Sequence, residues 1–315
     1  MNIALNVDNA NHHIPVLLRE VLKYLNPTDH EIYCDATFGA GGYSQAILDS
    51  AKCTIIALDR DTSVNKFVEK LKAKYPENFI FSNAKFSEIK EVFKKNKIDK
   101  VDGIVFDVGV SSMQLDEKNR GFSFDSTEKL DMRMDQTQGI SAFEVVNNYS
   151  SQDLAKIIKD FGDEPKAYKI AQKIANKRSK QTITSCCELA DIVRSLYVGY
   201  YKTDPATRTF QALRIYVNNE LEELKKALVE GLNLLKKGGR MVVVSFHSLE
   251  DKIVKEFFKT KAGLNQGVSR YQPLFIEEKN GEIKLLNTSV VMADDEELKI
   301  NNRARSAKLR AIIKM

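Results

Sequence analysis

The fold is decided by the segment Asp35-Ala36-Thr37-Phe38-Gly39-Ala40-Gly41-Gly42-Tyr43-Ser44. Its glycines stand between an apolar run, Ile32–Phe38, and an amphipathic stretch, Ser44–Ser50, and the pattern therefore predicts a strand, a tight turn and a helix. Glycine lets the backbone turn sharply and lets a ligand approach where a Cβ atom would clash. The next apolar run ends at Asp59, twenty residues after Gly39. A carboxylate at that position can accept hydrogen bonds from both ribose hydroxyls of a nucleoside.

This spacing alone does not distinguish an adenosylmethionine site from a dinucleotide site. The dinucleotide fingerprint has glycine or alanine at position 44, where this chain has Ser44. The serine favours a nucleoside joined to an amino acid over a pyrophosphate. A plain tight turn remains the alternative to a nucleotide-type site.

Further strands and helices alternate through the first third of the chain. Apolar, β-branched runs at Thr54–Leu58, Phe79–Phe81 and Val101–Val108 are separated by helical patterns such as Ser63–Lys74. Such alternation predicts a parallel sheet with helices on its faces. The last of these strands ends near Asp107, which places this carboxylate at the same sheet edge as the glycine turn. A helix cap or turn carboxylate is the alternative for Asp107.

The pattern changes between about Ser112 and Tyr216, where several helical periods occur and no comparable strand is found. One of these helices is predicted to end at Gly162. Because a hundred residues are too many for a simple crossover, we predict a helical insertion domain over residues 112–216. Residues 1–111 and 217–315 would then form one discontinuous α/β domain. It resumes with a helix over Leu221–Lys237 that Gly238-Gly239 ends, and a strand over Arg240–Phe246; Ser306–Lys314 fits either a strand or a helix.

Composition constrains the function only loosely. The chain has 315 residues, with 48 basic and 43 acidic side chains and a net charge of +5, which permits a polyanionic partner without requiring one. No apolar run approaches the roughly 18 residues that span a bilayer, and no signal peptide is apparent. The four cysteines and the histidines fit no metal-ligand spacing. We therefore expect a cytoplasmic protein with no membrane segment and no metal.

Nearly the whole chain, from His13 to the C terminus, resembles the ribosomal RNA small-subunit methyltransferase H family of cytosine-N4 methyltransferases. The blocks that carry this resemblance are His13–Leu18, Asp35–Ser44, Val101–Gly103, Asp107–Ser112, Arg120–Phe124, Leu130–Asp135, Pro205–Ile215, Ser245–Asp251 and Arg303–Arg310.

The resemblance implies a class I S-adenosylmethionine-dependent methyltransferase: a Rossmann-like, doubly wound sheet with an inserted helical domain that recognises the substrate. The implied substrate is a cytidine in the decoding region of 16S rRNA, within the small ribosomal subunit; another RNA, a DNA or a protein amine is the alternative. In this interpretation Asp59 binds the ribose and Phe86 stacks on the adenine. With Gly39 of the turn, the implied cofactor contacts are Gly41, Gly42, Tyr43, Asp59, Phe86, Asp107 and Gln114.

The chain departs from the family pattern at a few positions. Tyr43 stands where many relatives have histidine, and Asp204 replaces the usual histidine before Pro205. The first change preserves backbone contacts, whereas the second puts a local RNA or structural contact in question.

The chemistry requires help for a weak nucleophile, because the lone pair of the cytosine amino nitrogen is delocalised into the ring. An acceptor beside the N–H can localise that lone pair and orient the amine. We predict that Asp107 has this catalytic role, with His247 or Asp251 nearby. A structural, hydrogen-bonded histidine is the alternative for His247.

Basic side chains are concentrated along one predicted helix face at Lys166, Lys169, Lys173, Lys177 and Lys180. A solvated lysine face is the usual explanation, but the absence of interleaved acids favours contact with RNA phosphates. The other predicted RNA-binding residues are Arg208, Arg303 and Arg305. The target base would have to be unstacked to reach the pocket. A nucleotide-dependent oxidoreductase and a non-enzymatic RNA-binding module are the rival interpretations.

Overall fold

The computed structural model describes residues 14–111, 117–264 and 281–315. Within them one sheet has seven strands in the order β3-β2-β1-β4-β5-β7-β6. Strands β1 to β5 are parallel, whereas β7 runs antiparallel to both of its neighbours. The C-terminal segment is therefore a closing strand. The strands are β1 Ile32–Asp35, β2 Thr54–Asp59, β3 Phe79–Asn83, β4 Val101–Asp107, β5 Leu235–Ser245, β6 Ile283–Leu285 and β7 Lys308–Lys314.

Twelve α-helices lie in the same described ranges, and no helix there is both long and apolar enough to span a bilayer. Four 3-10 turns accompany them, at Thr62–Val64, Phe86–Glu88, Lys118–Arg120 and Asn302–Ser306. The helices are α1 Leu18–Leu25, α2 Gly42–Ser50, α3 Asn65–Lys74, α4 Ile89–Lys95, α5 Ala142–Asn148, α6 Ser151–Gly162, α7 Ala167–Arg178, α8 Cys186–Arg194, α9 Thr207–Asn218, α10 Glu220–Leu234, α11 Ser248–Lys261 and α12 Asp295–Ile300.

The sheet is buried on both faces, which explains the nearly continuous apolar character of its central strands. Successive residues of β4 enter different cores, because side chains alternate across a strand. Val105 packs with α1, α2 and α3 on one face. Ile104 and Phe106 pack with α4 and α10 on the other face. The carboxyl ends of the five parallel strands are thereby held at one edge.

The helices between β4 and β5 pack around a hydrophobic core of their own, which includes Leu130, Ile158 and Leu213. Helix α6 ends at Gly162, as predicted, although the left-handed residue that follows is Asp163. Gly162 is required for close packing, since a Cβ atom there would lie 2.5 Å from the carbonyl oxygen of Arg208. The separate core is compatible with an insertion domain, and its predicted bounds at residues 112 and 216 stay a prediction.

The predicted end of the helix after this segment was wrong. Helix α10 ends at Leu234, and Leu235 already begins β5. The register of β5 against β4 shifts between Val101, opposite Leu235, and Gly103, opposite Arg240. The extra residues of β5 form a bulge, in which Gly238 takes a left-handed φ of +80°. The glycine pair thus shapes a strand irregularity and does not cap the helix.

Candidate active site

A cavity of about 660 Å³ opens at the carboxyl edge of the parallel strands. The sheet topology explains its position, because β1, β2, β4 and β5 all end there. Of the residues that the sequence predicts to be functional, those lining it are Gly39, Gly42, Tyr43, Asp59, Phe86, Asp107, His247, Arg303 and Arg305.

The glycine turn forms one wall of this cavity. Gly39 and Gly41 have φ values of +54° and +78°, in the left-handed region that favours glycine. Gly42 opens α2, and a Cβ atom there would lie 2.2 Å from Cγ of Pro15. The cavity lining includes Gly39 and Gly42 but not Gly41. Gly41 therefore shapes the turn, while its neighbours border the open space.

Asp59, at the end of β2, is fixed by backbone donors. Its Oδ2 accepts a hydrogen bond from the N–H of Gly39 at 2.8 Å, and its Oδ1 accepts one from the N–H of Asp61 at 2.9 Å. Burial raises the pKa of Asp59 to about 6, against the opposing effect of these two bonds. The carboxylate retains further lone pairs toward the cavity, where ribose hydroxyls can donate.

A second carboxylate, Asp35, lies behind the glycine turn and is completely buried. Its partners are the hydroxyl of Ser44, at 2.7 Å, and the N–H of Thr37, at 3.2 Å. Burial raises its pKa to about 6. Nothing in the sequence marks a separate role for Asp35, because a carboxylate at the start of a glycine-rich turn resembles an ordinary turn residue.

Asp107 lines the cavity, and one of its side-chain oxygens is buried without a hydrogen-bond partner among the described residues. Its backbone N–H donates to Oγ1 of Thr37 at 2.6 Å, which anchors the end of β4 to that of β1. Its side-chain Oδ1 is buried and has no hydrogen-bond partner within the described ranges. Burial, reinforced by the charges of Asp35 and Glu250, raises the pKa of Asp107 well above its ordinary value. A buried acceptor without a donor is costly unless a ligand supplies the donor.

His247 is the N-cap residue of α11 and lies beside a buried carboxylate, Glu250, three residues later. Its Nε2 lies 2.9 Å from Oε1 of Glu250, within ion-pair distance, but the two atoms lack hydrogen-bond geometry. The other oxygen of Glu250 accepts the N–H of Phe246 at 2.8 Å. Asp251, considered beside His247 in the sequence, instead binds the guanidinium of Arg310 on β7 at 2.7 Å and is not part of the cavity lining.

An ion pair that sequence analysis missed lies next to these residues. Arg214, near the end of α9, donates from Nε and Nη2 to the two carboxylate oxygens of Glu220 at 2.9 and 2.8 Å. Ligand atoms of Glu220, His247 and Glu250 lie within 4.8 Å of one another, a spacing that can hold a metal ion. Both oxygens of Glu220 are nevertheless bound by Arg214. Asn219, with a φ of +50°, joins α9 to α10, so no helical periodicity relates the two partners.

Phe86 contributes an apolar ring to the cavity wall. It begins a 3-10 turn after β3 and packs edge-on against Phe106, with 6.4 Å between ring centroids. Its ring is half-buried and lines the cavity. Gln114, the remaining predicted cofactor contact, lies outside the described residues.

The predicted RNA-binding residues form two groups. Arg303 and Arg305 lie on the 3-10 turn before β7 and line the cavity, and Arg208 is exposed on α9 beside Thr207, which also lines it. The lysines are on and around α7 and are not in the lining. Among these, the ammonium of Lys166 donates to the carbonyl of Leu196 and that of Lys173 to the hydroxyl of Ser195, whereas Lys169, Lys177 and Lys180 are exposed.

The two departures from the family pattern both have structural partners. Asp204 binds Arg194, with its Oδ2 2.7 Å from Nη2 and 2.9 Å from Nε, and so fastens the loop before α9 to α8. The Tyr43 hydroxyl donates to the carbonyl oxygen of Val16, and the side chain is almost completely buried. Tyr43 thus lines the cavity while its hydroxyl is held by the backbone of Val16.

A family model and curated relatives both match nearly the whole chain. The model of the MraW methylase family matches residues 10–315. The Ribosomal RNA small subunit methyltransferase H of Wolbachia sp. subsp. Drosophila simulans is 49% identical over 301 residues, which cover 95% of this chain and 98% of the relative. That of Rickettsia prowazekii is 48% identical over 308 residues, covering 97% and 99%. Among solved structures, an rRNA methylase from Streptococcus thermophilus has 9% identity and a TM-score of 0.44, with coverage of 96% and 99%.

Proposed function

The chain belongs to the MraW methylase family, and from that membership we propose that it methylates the N4 amino group of a cytidine in the decoding region of 16S rRNA. Family membership confirms the enzyme class, the cofactor S-adenosylmethionine and the Rossmann-like class I fold that the sequence predicted. The N4 atom, the decoding-region cytidine and the assembled small subunit as substrate are our proposal. The observation that carries it is that Asp107 lines the cavity and that its buried Oδ1 has no partner among the described residues.

The cavity residues fit the cofactor. Asp59 is fixed by two backbone donors and retains acceptor capacity for ribose hydroxyls, and Phe86 offers an apolar ring for adenine. The left-handed turn around Gly39 brings the backbone close to the cavity without a Cβ atom in the way. We propose that these residues, with Gly42 and Tyr43, hold the cofactor. When bound, it supplies an electrophilic methyl group on a positively charged sulfonium.

Asp107 is then the group that prepares the nucleophile. As a carboxylate it accepts a hydrogen bond from the amino N–H, which increases the electron density on nitrogen and fixes the direction of its lone pair. The positive charge of the bound cofactor would favour the ionised form of the Asp107 carboxyl group, against the effect of burial. Much of the rate acceleration then comes from holding the amine in line, because proximity and orientation remove most of the entropic cost.

We propose that the helical segment from 112 to 216 and the 3-10 turn with Arg303 and Arg305 recognise the RNA. The two arginines border the cavity, where the phosphates next to an unstacked target nucleotide would pass. The exposed lysines of α7 offer a second, more distant phosphate contact. Two regions of contact are consistent with a folded ribosomal substrate.

The proposal is tested by methyl transfer from labelled S-adenosylmethionine to small ribosomal subunits that lack this modification. Mass spectrometry then identifies the labelled nucleoside. We expect N4-methylcytidine in 16S rRNA. The matched control uses the same subunits with the Asp107→Asn variant, which should have low activity. Clear cofactor binding without label on rRNA would contradict the proposal and would move the substrate to another RNA, DNA or a protein amine.

A further inference from the structure

Arg214 is a largely buried cation at the cavity, with 15% of its side chain exposed. Glu220, which is 4% exposed, binds the guanidinium along its Nε–Nη2 side and thereby fixes its plane. This pairing uses two of the five N–H donors. The described residues give Nη1 no hydrogen-bond partner. The outer edge of the guanidinium, formed by Nη1 and the second hydrogen of Nη2, therefore keeps parallel donors.

Asp107 supplies the complementary group in the same cavity. Its buried Oδ1 is an acceptor that no described residue satisfies. Glu250 lies near both residues: its charge helps to raise the pKa of Asp107, and the charge of Arg214 helps to keep the pKa of Glu250 below its ordinary value despite burial. The lining of one cavity thus includes a fixed set of donors and a carboxylate with an unsatisfied oxygen.

This pattern matches the Watson–Crick edge of cytosine. Along that edge cytosine presents the N4 amino donor and then two acceptors, N3 and O2. Uracil presents an acceptor at O4 and a donor at N3, so it would place donor against donor and acceptor against carboxylate. A site built to pair with buried polar groups discriminates strongly, because the wrong ligand leaves those groups unsatisfied.

We propose that Arg214, positioned by Glu220, binds the N3 and O2 acceptors of the target cytosine while Asp107 receives its amino group. Arg214 is thereby the residue that determines specificity for cytosine over uracil. The inference rests on the proposed function, since it assigns the base-binding part of the same cavity. It also gives Glu220 a role as a positioning residue, which acts only through Arg214.

The experiment uses the full-length protein, modification-deficient small subunits and two free nucleosides as inhibitors. Cytidine and uridine carry no phosphate, so a contact between Arg214 and RNA phosphate cannot produce a preference between them. Inhibition constants are measured for the wild type, Arg214→Lys, Arg214→Gln and Glu220→Gln. Arg19→Lys is the matched control, because Arg19 is exposed and is not part of the cavity lining. Melting temperature and cofactor affinity are measured for each variant.

We expect the wild type to bind cytidine at least about 10-fold more tightly than uridine. In Arg214→Lys the charge remains but the planar fork is lost, so the two constants should become equal within about 2-fold, and kcat/KM for subunits should fall about 10- to 100-fold. Glu220→Gln should lose part of the cytidine preference and part of kcat/KM. Cofactor affinity should be unchanged in all variants.

Two results would overturn the inference: a wild type that does not distinguish the nucleosides, or a cytidine preference that survives in both Arg214 variants while they remain folded. In the latter case a loss of kcat/KM alone would assign Arg214 to phosphate binding. Failure of the proposed function is recognised separately, since the wild type would then form no N4-methylcytidine in the same subunits.

Discussion

Ser44 donates its hydroxyl proton to Oδ2 of Asp35 over 2.7 Å, and neither side chain has exposed surface. In the sequence, Ser44 is notable because the dinucleotide fingerprint has glycine or alanine there. The structure gives the serine a definite partner: it satisfies a carboxylate behind the glycine turn, together with the N–H of Thr37. Position 44 therefore supports the turn from inside the protein.

Replacing Ser44 by alanine should destabilise the protein, because it removes a hydrogen bond from a fully buried carboxylate. We expect a loss of about 1–3 kcal/mol in the free energy of unfolding. Urea denaturation at pH 7 measures this change. Ser50→Ala, on the same helix, is the control, since the Ser50 hydroxyl is exposed and binds only the carbonyl of Ile47. Equal stability of the two variants would contradict the role assigned to Ser44.

Asp35 should make the ligand-free protein less stable as pH rises. Its pKa is about 6 in the folded protein, above the ordinary value of 3.8. The folded state therefore keeps a proton that the unfolded chain releases near pH 4, and the resulting stabilisation is full below pH 4 and lost as pH rises through 6. The difference is at most about 3 kcal/mol. Asp35→Asn should gain stability relative to the wild type between pH 4.5 and 7.5, and a pH-independent difference would refute this account.

Asp59 should make cofactor binding weaker in acid. Accepting two ribose hydroxyls requires the ionised carboxylate, whereas burial raises its pKa to about 6. We therefore expect affinity for S-adenosylmethionine to be constant well above pH 6 and to fall about tenfold per pH unit below it. Asp59→Asn should bind weakly at every pH. Calorimetric titration measures the affinity of each protein. The control is Asp49→Asn, since Asp49 is an exposed carboxylate paired with Lys74. If wild type and Asp59→Asn had the same pH profile, Asp59 would not be the group that makes binding depend on pH.

The chemical step should depend on Asp107. Asparagine keeps the size of the side chain but removes the negative charge that orients the amine. We expect the single-turnover rate at saturating cofactor to fall about 10²- to 10³-fold, as for other preorganised electrostatic groups. Asp99→Asn, at an exposed position shortly before the same strand, should be normal. A normal rate in Asp107→Asn with normal cofactor affinity would remove Asp107 from catalysis.

The positions of Asp59 and Asp107 could be predicted because strand ends in a parallel sheet meet at one edge, and a sequence shows where strands end. The pair of Arg214 and Glu220 could not be predicted in this way. A left-handed residue, Asn219, separates their helices, and the contact depends on the angle between those helices. The predicted helix end at Gly238 was wrong for a related reason. A glycine can end a helix or form a strand bulge, and only pairing with the neighbouring strand decides between the two.

Contact between the lysine face of α7 and RNA phosphates is best tested at the lysines whose ammonium groups have no hydrogen-bond or ion-pair partner among the described residues. Lys166 and Lys173 donate to the carbonyl of Leu196 and the hydroxyl of Ser195, so their substitution would also disturb the packing of α7 against neighbouring segments. Lys169 and Lys177 are exposed. Charge reversal at both isolates the electrostatic effect.

For the double variant Lys169→Glu and Lys177→Glu we expect weaker binding to small-subunit rRNA and a flatter dependence of affinity on salt. Each lost phosphate contact removes the release of about one counterion, so the slope of log affinity against log salt should decrease by about one to two. Lys70→Glu with Lys72→Glu, on the exposed side of α3 and outside the helical segment, has the same change in net charge and is the control. If both double variants change the slope equally, net charge alone is responsible and α7 makes no specific phosphate contact. A change confined to α7 would place this helix on the RNA backbone, beyond the arginines at the cavity.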